Sequence, residues 1–288
     1  MASRLTPDGC DVRGDRLNAL LLILPATAFL LLWFVVPLCR LLALAFTGEA
    51  GGFESLWTLL SSNVYQRVLG NTMIVAVIVT LLTLVLAWPV AYVLTRLKGI
   101  GFMLMLYGVL FPFWISVLVR TFSWMLLLER NGPINRFLMG LGVTDQPLAL
   151  LFNETGVLIG MTHVLLPYAV LPLFSAMNRI DRRLLQASDG LGAAPLDTFR
   201  RVYLPLSLPG LFGGGTFVFL LCLGFFITPA LLGGANAMTL SMLISSFVTD
   251  RLAWSLAAAG SIILLAIVLV LMGLAMRLLP LDKGMFAK

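Results

Sequence analysis

Ionised side chains are sparse along this chain, and the stretches between them are long enough to cross a bilayer uncharged. A spanning helix needs about 20 apolar residues. Six stretches qualify: Leu17 to Cys39, Val68 to Thr95, Gly99 to Val119, Thr155 to Asn178, Val202 to Thr249 and Leu252 to Met276. The first is too long for a signal-peptide core and no small-x-small cleavage site follows it, so a retained anchor is expected. The fifth is long enough for two spans, but its punctuation argues for one. Gly213, Gly214 and Gly215 open an apolar run to Leu232, Gly233, Gly234 and Asn236 mark a turn, and the remnant before Asp250 is expected to lie flat or re-entrant. Pro89, Pro112, Pro167 and Pro172 are expected to kink spans.

Composition agrees with the pattern. Of 288 residues 60% are hydrophobic and 11% charged, and mean hydropathy is +1.03. So few charges cannot clothe a soluble domain of this size, and the predicted class is an all-α integral membrane protein. The basic balance therefore belongs to loops beside the bilayer and does not indicate nucleic-acid binding. Cys10, Cys39 and Cys222 are too few and too scattered for a disulfide framework or a metal-ligand cluster.

Charge also orients the spans, because Lys and Arg accumulate in short cytoplasmic loops. Six spans with both termini inside place 13 of the 19 basic residues on the cytoplasmic side, among them Arg4, Arg13, Arg16, Lys283 and Lys288. The outer side keeps six basic and six acidic residues, so the whole net charge of +6 lies inside.

The cytoplasmic segment Arg179 to Pro209 looks built to fold. Asp181 is a good N-cap, Gly192 a good C-terminal stop, and Pro195 suits the first turn of a second short helix. In that helix Leu196, Phe199 and Tyr203 share one face, with Asp197 and Arg201 on the other. Pro205 and Pro209 are expected to break it before the fifth span. By composition alone this is a basic loop lying parallel to the membrane.

The residues are more specific than the composition. QASDGLGAAPLDTFRRVYLP, Gln186 to Pro205, resembles the EAA loop of ABC-importer permeases, with Ala187, Gly192, Leu204 and Pro205 matching at the correct spacing and Gln186, Ser188 and Val202 departing mildly. RVLGNT, PFWISVLVRTFSW, NGPINRFLMGLGV and LLPYAVLPLFSAMNRID resemble the spermidine/putrescine branch of that family. The resemblance implies a single permease domain over residues 1–288, with the type I importer (MetI-like) fold, in a bacterial inner membrane. It further implies a second permease subunit, two copies of a cytoplasmic ATPase carrying ATP and Mg, and an extracytoplasmic substrate-binding protein. Gln186, Ala187, Ser188, Asp189, Gly190, Leu191, Gly192, Leu204 and Pro205 would couple the chain to the ATPase, with Gln186 standing where the family has an acid. No GxxxxGK[ST] motif occurs, so ATP would be hydrolysed by another polypeptide.

Candidate pathway residues are fewer. Arg120 lies near the outer end of the third span, where a guanidinium either snorkels outward or faces a wet cavity, with Glu129 as a candidate partner. His163 is the only histidine and lies in an uncharged span. Trp114, Ser116, Ser123 and Tyr168 either line a path or pack between helices. The rival reading, a secondary transporter or channel, has little to work with, because no carboxylate sits well inside a span.

Overall fold

The computed structural model describes residues 23–47, 53–234 and 237–278, and all regular structure among them is helical. Long helices are α1 (Ile23–Thr47), α3 (Asn63–Arg96), α7 (Glu154–Asn178), α9 (Pro195–Gly224) and α12 (Trp254–Leu278). Between them lie α2 (Glu54–Ser61), α4 (Gly99–Leu110), α5 (Val117–Leu128), α6 (Pro133–Gly140), α8 (Arg182–Gly190), α10 (Ile227–Leu232) and α11 (Leu240–Thr249). Five helices are long and apolar enough to span, and the bent pair Gly99–Trp114 and Val117–Gly140 brings the number to six if it is one span.

Helices α3, α7 and α9 form the centre because each carries a stripe of small residues that lets backbones approach. On α3 the stripe is Ala76, Thr80, Thr83, Ala87 and Ala91, at helical spacing and buried. Gly210 and Gly214 on α9 face α7, where a Cβ on Gly214 would stand 3.2 Å from the Ala169 carbonyl oxygen. A second core at the opposite end from the α8 loop joins Ala45, Leu59, Val68, Leu243, Phe247 and Ala258. Helix α1 packs on α12 and, near Ala45, on α2, and is exposed over most of its length.

Several boundaries differ from the sequence reading. The first span continues past Arg40 to Thr47 with that residue exposed, while 17–22 lie outside the described residues. The third stretch is not a straight helix. Pro112 opens a tight turn over Phe111–Trp114, Ile115 is extended, and the chain leaves at 102° as α5. Pro89, Pro167 and Pro172 lie inside unbroken helices.

The fifth span begins before the three glycines and ends at Gly224, well short of Leu232. Pro205 and Pro209 do not break it. The backbone widens into a π-helical turn over Phe199–Tyr203, where the Leu204 N–H reaches the Phe199 carbonyl, and Pro205 follows where its missing N–H costs little. Beyond Gly224 the last part of the run to Leu232 forms a separate short helix, α10, which the sequence reading had placed in the span, and the expected remnant after the turn forms α11. Their unpaired backbone is met by side chains: Thr72 accepts the Leu240 N–H at 2.8 Å, Asn71 donates to the Met238 carbonyl, and Ser241 donates to the Phe225 carbonyl. The expected turn is seen at Gly233 and Gly234, and Asn236 lies outside the described residues.

Candidate functional site

The loop from Arg179 to Tyr203 sits at the end of the bundle that also carries Arg96 and Asn178. The Asp181 carboxylate accepts the Arg183 N–H at 2.9 Å and starts α8, and Gly192 ends the segment at φ +79°, a left-handed conformation. Ala187, Gly190 and Gly192 are exposed, and Leu191 is 88% exposed, a large apolar side chain with no cover from its own chain. Leu185 turns inward to the core. Gln186 and Asp189 line a polar cavity of about 250 Å³ with Thr95, Arg96, Asn178 and Tyr203. The Ser188 and Thr198 hydroxyls are hydrogen-bonded at 2.9 Å, tying α8 to the first turn of α9.

Aromatic packing anchors this loop to the bundle. Trp88 on α3 meets Phe199 edge-on at 5.0 Å, and Tyr92 meets Tyr203 at 5.3 Å, with Trp88 and Tyr92 stacked on each other. Sequence reasoning placed Leu196, Phe199 and Tyr203 on one inward face; Phe199 and Tyr203 turn inward, but Leu196 is 59% exposed, and Trp88 and Tyr92, an aromatic pair one turn apart on α3, were missed. Asp197 and Arg201 form an exposed ion pair at 3.7 Å on the other face. Leu204 and Pro205 lie where this segment enters the bilayer part of α9.

The candidate pathway residues fall into two groups. Arg120, Trp124, His163 and Tyr168 gather between α5 and α7. Trp124 Nε1 donates to His163 Nδ1 at 3.1 Å, which requires that nitrogen to be unprotonated and leaves the ring proton on Nε2. Tyr168 is gripped by Phe113 at 5.0 Å and Phe217 at 5.7 Å. Arg120 is only 8% exposed, and its Nε and Nη1 have no hydrogen-bond partner. Two of its three guanidinium nitrogens are therefore shielded within the chain, and no ion pair to Glu129 forms among the described residues. Trp114 is 70% exposed at the bend, Ser116 supplies the carbonyl that takes the Arg120 N–H, and Ser123 is exposed with its hydroxyl on the Val119 carbonyl. The structure thus separates Trp114 and Ser123 from the buried cluster.

One residue of the segment between α5 and α7 also escaped sequence reasoning. Asn135 on α6 is fully buried, donates to the Glu129 and Leu148 carbonyls and accepts the Leu148 N–H, stapling the segment between α5 and α7.

A bundle of five or six apolar spans with an exposed small-residue loop at one end matches a known family. Residues 98–280 fit the profile of the "binding-protein-dependent transport system inner membrane component" family. The chain belongs to that family. It is 36% identical over 208 residues to the Escherichia coli K12 spermidine/putrescine transport system permease protein PotB, covering 72% of this chain and 76% of PotB. The Haemophilus influenzae PotB is 31% identical over 242 residues, covering 82% and 85%. Among solved structures, a bacterial alginate ABC transporter in complex with an alginate pentasaccharide-bound periplasmic protein has a chain of the same fold. Its TM-score is 0.73 at 19% identity, covering 94% of this chain and 97% of that one. A chain of the inward-facing MetNI methionine ABC transporter gives a TM-score of 0.56 at 19% identity, covering 76% and 97%. This family member is a membrane-spanning permease subunit of an ABC importer, an inner-membrane component with the MetI-like fold.

Proposed function

We propose that the chain is one of two different permease subunits of a polyamine importer, with the loop Arg179 to Pro205 as its coupling element to an ATPase. Spermidine or putrescine as solute follows the names of the PotB relatives. The observation that carries the coupling assignment is the uncovered apolar tip at Leu191, set among the small residues Ala187, Gly190 and Gly192. A partner surface can approach such a tip closely and exclude water from the leucine.

The geometry supplies a mechanical route. A push on α8 passes through the Ser188–Thr198 hydrogen bond to α9, which runs unbroken from Pro195 to Gly224. It passes also through Phe199 and Tyr203 to Trp88 and Tyr92 on α3. Rigid elements in contact move together, so ATP-driven motion at the loop would tilt the two central helices. ATP and Mg belong to two copies of the partner ATPase. An extracytoplasmic binding protein delivers the solute, the bilayer surrounds the bundle, and both termini face the cytoplasm.

Replacing Gly192 with aspartate tests this reading. A Cβ at this position would meet no atom of its own chain within 4 Å, and the loop lies outside the core, so bundle stability should hold while a charge enters the docking face. Co-purification of the ATPase, or substrate-stimulated hydrolysis in proteoliposomes, should fall at least tenfold. Full retention of both would reduce the loop to a basic tether.

A further inference from the structure

The break in the third span falls in the middle of the membrane. Helix α4 runs antiparallel to α7, with Phe102 against Phe174 at 5.8 Å and, further along, Phe113 against Tyr168 at 5.0 Å. Tyr168 is close to the midpoint of α7 (Glu154–Asn178), one of the helices long and apolar enough to span. The tight turn Phe111–Trp114 and the extended Ile115 therefore lie near the bilayer centre.

Polar groups at that level lack partners. The N–H groups of Val117, Leu118 and Val119 precede the first backbone bond of α5, from Arg120 to Ser116, and Ser116 adds no side-chain cap. Trp114 is 70% exposed, and its indole N–H has no hydrogen-bond partner among the described residues. Irregular backbone at this depth persists only where protein buries it or water reaches it. Ser116 and Trp114 are exposed, so their own chain does not bury the break. An apolar helix of another subunit would leave these groups unpaired as lipid does, whereas water pairs with each.

Aromatic surface collects at the same level. Tyr168 meets Phe113 from the break and, at 5.7 Å, Phe217 from α9, and Phe113, Trp114 and Phe217 are all exposed. We propose that the break lines the hydrated solute path, and that Trp114, with Phe113, Tyr168 and Phe217 beside it, is a mid-membrane contact for the ammonium and methylene groups of the solute. The inference rests on the polyamine-importer reading above. A ring face attracts an ammonium through its quadrupole and methylenes through apolar contact, and needs no carboxylate. That suits spans in whose interior the described residues include no acid. Arg120, buried nearby between α5 and α7, opposes a cation at this level. A transit site requires such a balance, since a solute held too firmly would not leave.

The test uses the whole complex in proteoliposomes. Uptake of spermidine and putrescine by wild type is measured first, and a complex that imports neither defeats the polyamine reading and the ring assignment with it. Trp114→Cys, Phe217→Cys and, on the outward side of α5, Phe122→Cys are then treated with a small water-soluble methanethiosulfonate, and labelling is read at each site by mass spectrometry. The reagent attacks a thiolate and so requires water. Trp114→Cys and Phe217→Cys should react at least tenfold faster than Phe122→Cys. Equal rates would mean that the break meets lipid or protein and would overturn the path. The contact is tested with saturating loaded binding protein: Trp114→Leu should lower polyamine uptake at least fivefold, and Trp114→Phe, which keeps a ring, should stay within about twofold. Co-purification of the second permease and the ATPase should be unchanged in both, which separates the effect from misassembly. Wild-type uptake in Trp114→Leu, or equal losses in the two variants, would overturn the ring contact while leaving the importer reading intact.

Discussion

Gly192 is exposed, in open space and left-handed, so within its own chain its role is conformational and not steric. Asparagine visits that region at small cost, whereas a β-branched residue resists it by roughly 1–2 kcal/mol. Gly192→Asn should therefore keep ATPase co-purification within about twofold, and Gly192→Val should reduce it severalfold. Equal behaviour of the two variants would show that the turn geometry is immaterial. Thr72 is a second single-residue case. Its hydroxyl donates to the Val68 carbonyl and accepts the Leu240 N–H, both at a buried position. Thr72→Val preserves shape but strands that N–H, at a cost of about 1–3 kcal/mol. A lower melting temperature in detergent is the expected outcome, and an unchanged one would mean that α11 is held by apolar packing alone.

At the scale of elements, the contrast between neighbouring glycines on α9 is sharp. Gly214 lies against the α7 backbone, while a Cβ placed on Gly213 would meet nothing within 4 Å. Gly214→Val should push the two helices apart and lower membrane yield or melting temperature clearly. Gly213→Val should be tolerated, since it projects toward open space. The joint between α8 and α9 makes a different kind of prediction. Ser188→Ala removes one hydroxyl bond at the loop and touches no core residue, so assembly with the ATPase should persist. Transport per ATP hydrolysed should fall if that bond carries motion. Unchanged coupling would leave the Trp88, Tyr92, Phe199 and Tyr203 cluster as the working route.

For the whole molecule, orientation follows from the loop. If Arg179 to Tyr203 is cytoplasmic, the segment between α6 and α7 lies outside. A cysteine introduced at Thr144 should react with an impermeant thiol reagent in intact cells, and one at Arg200 should not. The reverse pattern would invert the bundle and remove the coupling loop from the ATPase side. The N-terminal residues and Lys283, which carry much of the charge bias, lie outside the described residues.

Much of the architecture was legible from where charge is absent. Transfer of side chains into hydrocarbon is nearly a property of each residue alone, so Glu154–Asn178 and Trp254–Leu278 fall within a few residues of the uncharged stretches that foretold them. The Asp181 cap and the Gly192 stop were legible for a similar reason, because their chemistry is local. What remained hidden depends on partners distant in sequence. The 102° break at Ile115 and the retreat of the fifth span to Gly224 pair with each other through α5 on α10, where Thr121 and Thr228 hydroxyls meet at 3.2 Å. The prolines illustrate it most plainly: Pro112 ends a helix, but Pro205 sits inside a continuous one because a π-turn ahead of it absorbs the missing bond. Arg120 could be flagged from sequence as a charge among apolar residues. Its burial, with Nε and Nη1 unpaired and no ion pair formed among the described residues, is a fact of three-dimensional packing, since only the fold decides which groups share an interior.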